Sequence, residues 1–184
     1  MRDAAGNTAA AGAIGTFAVA ATDPSPPALV GVPQFAVGTD AGAAGTVTLY
    51  NPDRSVRATV TPFPGFTGGV RTAAADFDGD GVPDIVAATG PGQAGQVVVI
   101  SGADAKTVLF SATPFEAGFT GGLFVAAGDL NRDGLPELVV TPVAGGGPRV
   151  RVYGGAQKLA VIADFFGIDD PNFRGGARGW PSAT

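Results

Sequence analysis

The pentapeptide GFTGG occurs at residues 65–69 and again at 118–122, and a degenerate copy, NFRGG, follows at 172–176. Its phenylalanines, Phe66, Phe119 and Phe173, are spaced by 53 and 54 residues. A period of this size constrains the fold more than any single motif does. Each repeat is one supersecondary unit that cannot bury its apolar face alone, so neighbouring units must stack on one another. Three strand-like segments, TVTLYN (46–51), QVVVIS (96–101) and RVRVYG (149–154), take matching places in successive repeats.

Within a repeat, short runs rich in Val, Ile, Phe and Thr are separated by clusters of Gly, Pro and Asp, the pattern of strands and turns. It predicts strands near 16–21, 35–38, 46–50 and 56–61 in the first repeat. The second repeat gives strands near 70–75, 85–89, 96–101 and 107–112, and the third near 123–128, 138–141, 149–153 and 158–164. No stretch carries a 3.6-residue apolar period. The expected fold class is all-β, with about four antiparallel strands in each of three repeats of about 53 residues, the layout of β-propeller blades. A tandem of β-sandwiches needs more strands per unit, and the coils of a β-helix are much shorter. Residues 16–62, 63–114 and 115–170 are expected to form the blades, with a tail over 1–15 and a truncated further repeat over 171–184. A closed propeller uses about four to eight blades. Three imply a partial propeller or a ring completed by oligomerisation, for example two chains giving six blades.

Two acidic loops obey the same period. DFDGDGVPD (76–84) and DLNRDGLPE (129–137) pair Asp76 with Asp129, Asp78 with Asn131, Asp80 with Asp133, and Asp84 with Glu137. Together they hold seven of the sixteen acids of the chain, so the charge is concentrated there. Alternation at positions 1, 3 and 5 turns short carboxylates toward one point. Gly81 permits a sharp turn with positive φ, the backbone carbonyl of Val82 can face the same point, and Asp84 closes it. An all-oxygen cage suits a hard cation and excludes soft ones, and flexible six- or seven-fold coordination favours Ca²⁺ over Mg²⁺. Without a cation, like charges about 4 Å apart cost roughly 4 kcal/mol per pair at an effective dielectric of about 20. The second loop offers Asp129, Asn131, Asp133, the carbonyl of Leu135, and Glu137. It has one charge fewer and a longer closing acid, so one strong and one weaker Ca²⁺ site are expected. The first repeat has only Asp23 at the matching place, and no metal is expected there. An EF-hand loop begins the same way but needs a Glu at its twelfth position and helices on both sides. The twelfth residues here are Ala87 and Val140, and the flanks read as strands.

Composition removes whole classes of chemistry. The chain has no His and no Cys. It therefore has no His general base, no Cys nucleophile, no disulfide, and no zinc or haem site built from those residues. Its net charge is −5, with two Lys and nine scattered Arg, whereas a nucleic-acid surface needs clustered cations. Two divalent cations would nearly neutralise it. No apolar run reaches membrane-spanning length, so membrane insertion is not expected. Asp3, Asn7 and several Gly interrupt the small-residue N-terminal segment, which argues against the apolar core of a secretory leader.

DFDGDGVPDIV (76–86) and DLNRDGLPELV (129–139), each after a GFTGG and before a Gly-rich turn, resemble the FG-GAP/VCBS-type repeats of bacterial surface proteins. The same repeat class forms the seven-bladed head of integrin α chains. The resemblance covers about residues 16–176, and it implies that each acidic loop joins the first two strands of a blade and holds Ca²⁺. It also implies an extracellular or cell-surface protein engaged in adhesion or in binding a protein or glycan ligand. The chain departs from the pattern in its degenerate first loop and in TGPGQAG (89–95) and TPVAGGGP (141–148), which only approximate the Gly-Ala-Pro part. RDAAGNTAAA (2–11) resembles the last strand of a bacterial Ig-like domain.

Gly90-Pro-Gly92-Gln-Ala-Gly95 is a literal G-x-G-x-x-G after a strand, but a second strand follows it and supplies no helix N-terminus for a phosphate. The Phe of each FTGG is expected to pack between blades, and the Gly pair to turn the chain into the next one. Trp180, Tyr50 and Tyr153 are too few for a carbohydrate platform. No Ser has a base partner, and carboxylates that hold a metal are unavailable as acid and base. The expectation is a non-enzymatic Ca²⁺-binding module. The alternatives are a Ca²⁺-dependent hydrolase or lyase, or a carbohydrate-binding propeller.

Overall fold

A computed structural model of the chain describes residues 34–143, 145–155, 158–170 and 172–177. The expected strand at 16–21, the segment around Asp23, and Trp180 lie outside them. Every described regular element is a β-strand, because β-branched and aromatic runs are cut every few residues by Gly, Pro or Asp. β1 (Phe35–Gly38), β2 (Val47–Tyr50) and β3 (Val56–Val60) form one sheet. β4 (Val70–Ala75), β5 (Asp84–Thr89), β6 (Val97–Ile100) and β7 (Val108–Ala112) form a second in sequential order. β8 (Leu123–Gly128), β9 (Glu137–Pro142), β10 (Arg149–Gly154) and β11 (Ala160–Phe166) form a third, again sequential. All pairings are antiparallel. These are propeller-like blades, and among the described residues they do not close into a ring.

The blades stack through alternating side chains. On β5, Ile85 and Ala87 face the first blade and join Val47, Leu49, Phe63, Val70 and Ile100 in one core. Val86 and Ala88 face the third blade and join Val97, Val99, Leu123, Leu138, Val140 and Tyr153 in another. All six residues of β5 are therefore buried, as a strand covered on both faces must be. Phe66 and Phe119 pack against these two cores. Phe110 meets Tyr153 edge-on across the second seam, with ring centroids 5.0 Å apart.

The backbone is stitched at each junction in the same way. Phe66 N–H donates to Phe63 O, Phe119 N–H to Glu116 O, and Phe173 N–H to Asp170 O. Gly42 N–H then donates to Thr67 O at 2.9 Å, Gly92 N–H to Thr120 O at 2.9 Å, and Gly145 N–H to Arg174 O at 2.6 Å. The repeat motif thus closes each seam, and the third copy docks on the far side of the third blade. The face that blade presents there carries Val139, Val150, Val152, Ala163 and Phe165, in the rows that blade two buries against blade three. Phe165 is 51% exposed.

The literal G-x-G-x-x-G is a turn between β5 and β6. Gly90 N–H donates to Gly69 O and Gly92 N–H to Thr120 O, so the segment serves the seams. No helix among the described residues is long and apolar enough to cross a membrane.

Candidate metal centre

The two acidic loops are the β4–β5 and β8–β9 connections, the first hairpin of the second and third blades. Strand pairing holds their ends: Ala75 is opposite Asp84, and Gly128 is opposite Glu137. Between those ends each loop is organised by its own carboxylates. Asp76 Oδ1 accepts from Gly79 N–H at 2.7 Å and Oδ2 from Gly81 N–H at 2.8 Å. Asp78 Oδ1 accepts from Asp80 N–H at 3.2 Å, and Asp80 Oδ1 from Val82 N–H at 2.7 Å. Gly81 has φ +84°, as the spacing predicts, and such a backbone state disfavours any side chain.

Asp84 closes the first loop from below and is fully buried. Its Oδ2 accepts from Phe77 N–H at 2.8 Å and its Oδ1 from Gly102 N–H at 2.9 Å. Burial raises its pKa above the usual carboxylate value, the Gly102 and Phe77 hydrogen bonds pull it back down, and the charges of Asp78 and Asp76 push it up again. The net direction is upward: the group is held where its charge is disfavoured unless a positive charge comes near. Asp76, Asp78 and Asp84 each turn one oxygen to a common point, all within 4.8 Å of one another. Each bonded oxygen keeps a further lone pair. An oxygen-only donor set of this density fits a hard divalent cation.

The structure brings together three of the four carboxylates expected in the first loop. Asp80 is outside that convergent set and is exposed; its Oδ1 holds the turn by capping Val82 N–H. Sequence reasoning missed Gly102, whose N–H anchors Asp84. A Cβ at Gly102 would lie 2.0 Å from Pro83 O, so only glycine lets the β6–β7 turn approach the loop this closely. Gly102 O in turn accepts from Arg57 Nε on the first blade at 3.4 Å. The signal was present, since Gly155 recurs 53 residues after Gly102 and a Cβ there would lie 2.4 Å from Pro136 O.

The second loop repeats the backbone bonds made within the first, and its Asp133 N–H also reaches Asp129 Oδ1 at 3.2 Å. Asp129 Oδ1 accepts from Arg132 N–H and Oδ2 from Gly134 N–H. Asn131 Oδ1 accepts from Asp133 N–H, Asp133 Oδ1 from Leu135 N–H, and Glu137 Oε2 from Leu130 N–H. Glu137 is 1% exposed. Its other oxygen, Oε1, meets Asn131 Nδ2 at 3.3 Å. Among the described residues the convergent acidic group is that of the first loop.

Of the aromatic residues considered for a sugar platform, Tyr153 is buried and Tyr50 stacks on Phe35 with centroids 5.4 Å apart.

Residues 68–100, which span β4, the first acidic loop, β5 and β6, match the family model described as FG-GAP repeat. The match covers one repeat and is consistent with an FG-GAP/VCBS-type repeat protein, as are the antiparallel, propeller-like sheets. Repeats of this family are typically non-catalytic binding modules of extracellular proteins, and they often bind Ca²⁺. No curated protein matches the chain.

Proposed function

We propose that the chain is a non-enzymatic β-propeller module of a secreted or cell-surface protein, stabilised by Ca²⁺ in its first acidic loop. The observation that carries this reading is the convergence of the Asp76, Asp78 and Asp84 oxygens on one point, with Asp84 buried beneath it. Asp76, Asp78 and Asp84 would hold the ion, with Asp80 and the Val82 carbonyl completing the shell. Its role is structural: the ion offsets the burial of Asp84 and ties the first two strands of the blade to the β6–β7 turn. Support for an adhesive or ligand-binding role, toward a protein or glycan, comes from the FG-GAP repeat match alone.

A ligand that binds only the folded state stabilises it by mass action, by about 2.7 kcal/mol at a hundred times its dissociation constant. Millimolar Ca²⁺ is therefore expected to raise the unfolding temperature relative to EDTA, and Mg²⁺ to do so less, because it gives up its water reluctantly. Equal unfolding temperatures in Ca²⁺ and EDTA would sink the reading.

The open face of the third blade supports a second element of the proposal, that copies of the chain associate. Its Val139, Val150, Val152, Ala163 and Phe165 stand where blade two has residues packed against blade three. Among the described residues no further sheet covers this face, where Phe165 is 51% exposed and Val152 is already buried, and a second copy of the chain would supply one. Light scattering at micromolar concentration is expected to give a mass above that of one 18.0 kDa chain, and Phe165→Glu to return it to one chain. A strict monomer at high concentration refutes association.

A further inference from the structure

We infer that the second acidic loop keeps its fold without a cation, because the side-chain amide of Asn131 occupies the place that a cation takes in the first loop. The inference builds on the reading of the first loop as a Ca²⁺ site, and its test separates the two.

The two loops share one backbone path and five N–H bonds, two to the first side chain and one each to the third, fifth and ninth. At the ninth, Asp84 Oδ1 also takes Gly102 N–H, whereas Glu137 Oε1 takes the Asn131 amide. What differs is the interior. In the first loop the groups that converge are carboxylates, all of one sign. In the second, Asn131 Nδ2 donates to Asp133 Oδ2 at 2.9 Å and to Glu137 Oε1 at 3.3 Å. Its two hydrogens meet the two acids that stand at the fifth and ninth positions, so hydrogen bonds replace a metal in holding the acids together.

The amide is also fixed in its orientation. Asn131 Oδ1 accepts from Asp133 N–H at 2.9 Å. Turning Oδ1 inward toward a cation would bring Nδ2 against that N–H, donor facing donor. Asp78 meets no such conflict, because both of its ends are acceptors: one takes Asp80 N–H and the other is free to face the ion. The Asp-to-Asn difference at the third position, with the longer Glu137 at the ninth to meet the amide, thus exchanges a cation cage for a self-contained turn. Arg132 fits this account. It holds φ +64° where the first loop has Gly79 at φ +77°, a state that disfavours side chains and that the bonds of the loop must maintain unaided.

The test measures Ca²⁺ stoichiometry by calorimetry and thermal unfolding in EDTA, on the full chain and on Asn131→Asp and Asn131→Ala. The wild-type chain is expected to bind one ion and Asn131→Asp two. In EDTA, Asn131→Asp is expected to lower the unfolding temperature by several degrees, through lost donors and added like charge, and Ca²⁺ to restore it. Asn131→Ala is expected to lose stability in EDTA with no restoration specific to the variant. Two ions on the wild-type chain, or an unfolding temperature in EDTA that neither substitution moves, overturns the inference. If the wild-type chain binds no ion, the reading of the first loop fails, and the EDTA arm still decides the role of the Asn131 amide.

Discussion

Replacing Asp84 by Ala should remove the Ca²⁺ response and lower stability in EDTA as well. The carboxylate satisfies the N–H groups of Phe77 and Gly102 at the buried base of the loop. Each donor left without a partner costs about 1–3 kcal/mol, and relief of a buried, disfavoured charge offsets part of that sum. The expected loss in EDTA is about 2–4 kcal/mol, read from urea unfolding by linear extrapolation. Asp84→Asn should lose less, since it keeps one acceptor, but its NH₂ must face one of the two N–H donors. It should also lose the response to Ca²⁺. A variant within about 0.5 kcal/mol of wild type that still responds to Ca²⁺ would show that the ion is held elsewhere.

Gly102→Ala should reach the same site without touching a ligand. Its Cβ would sit 2.0 Å from Pro83 O and 2.8 Å from Pro83 C, both backbone atoms. Neither can turn aside as a flexible side chain would, so the β6–β7 turn and the loop must separate. Overpacking costs about 1–3 kcal/mol, and the displaced N–H loosens its grip on Asp84. The Ca²⁺ affinity should fall about tenfold, equivalent to about 1.4 kcal/mol. Gly118→Ala is the matching control: a Cβ there meets nothing within 4 Å, and both stability and affinity should hold. Equal behaviour of the two variants would remove Gly102 from the site.

Much of this is legible in the sequence because the signals are local. Alternating acids with a following glycine specify a turn whose side chains converge, and the structure brings Asp76, Asp78 and Asp84 together. The blade strands fall within one or two residues of their expected places wherever those places are described; β4, for instance, spans Val70–Ala75. What escapes the sequence depends on neighbours distant in the chain. DIVAAT in β5 shows no alternation because both of its faces are buried, and nothing in those letters tells which blade each side chain meets. Phe165 is half exposed on the open face, which depends on whether a neighbouring sheet lies against it and not on adjacent residues.

The acidic loops show the same division most clearly. The 53-residue step, the nine-residue length and the oxygen-rich side chains follow from the sequence alone, since they depend on residues adjacent in the chain. Tertiary packing decided that Asp84 is buried and tied to Gly102, eighteen residues on, because a turn from the third strand has to reach the loop. Spatial arrangement likewise decided which end of the Asn131 amide points inward. Asp and Asn have nearly the same shape, so the difference between converging carboxylates and a closed turn lies in where each donor finds its acceptor.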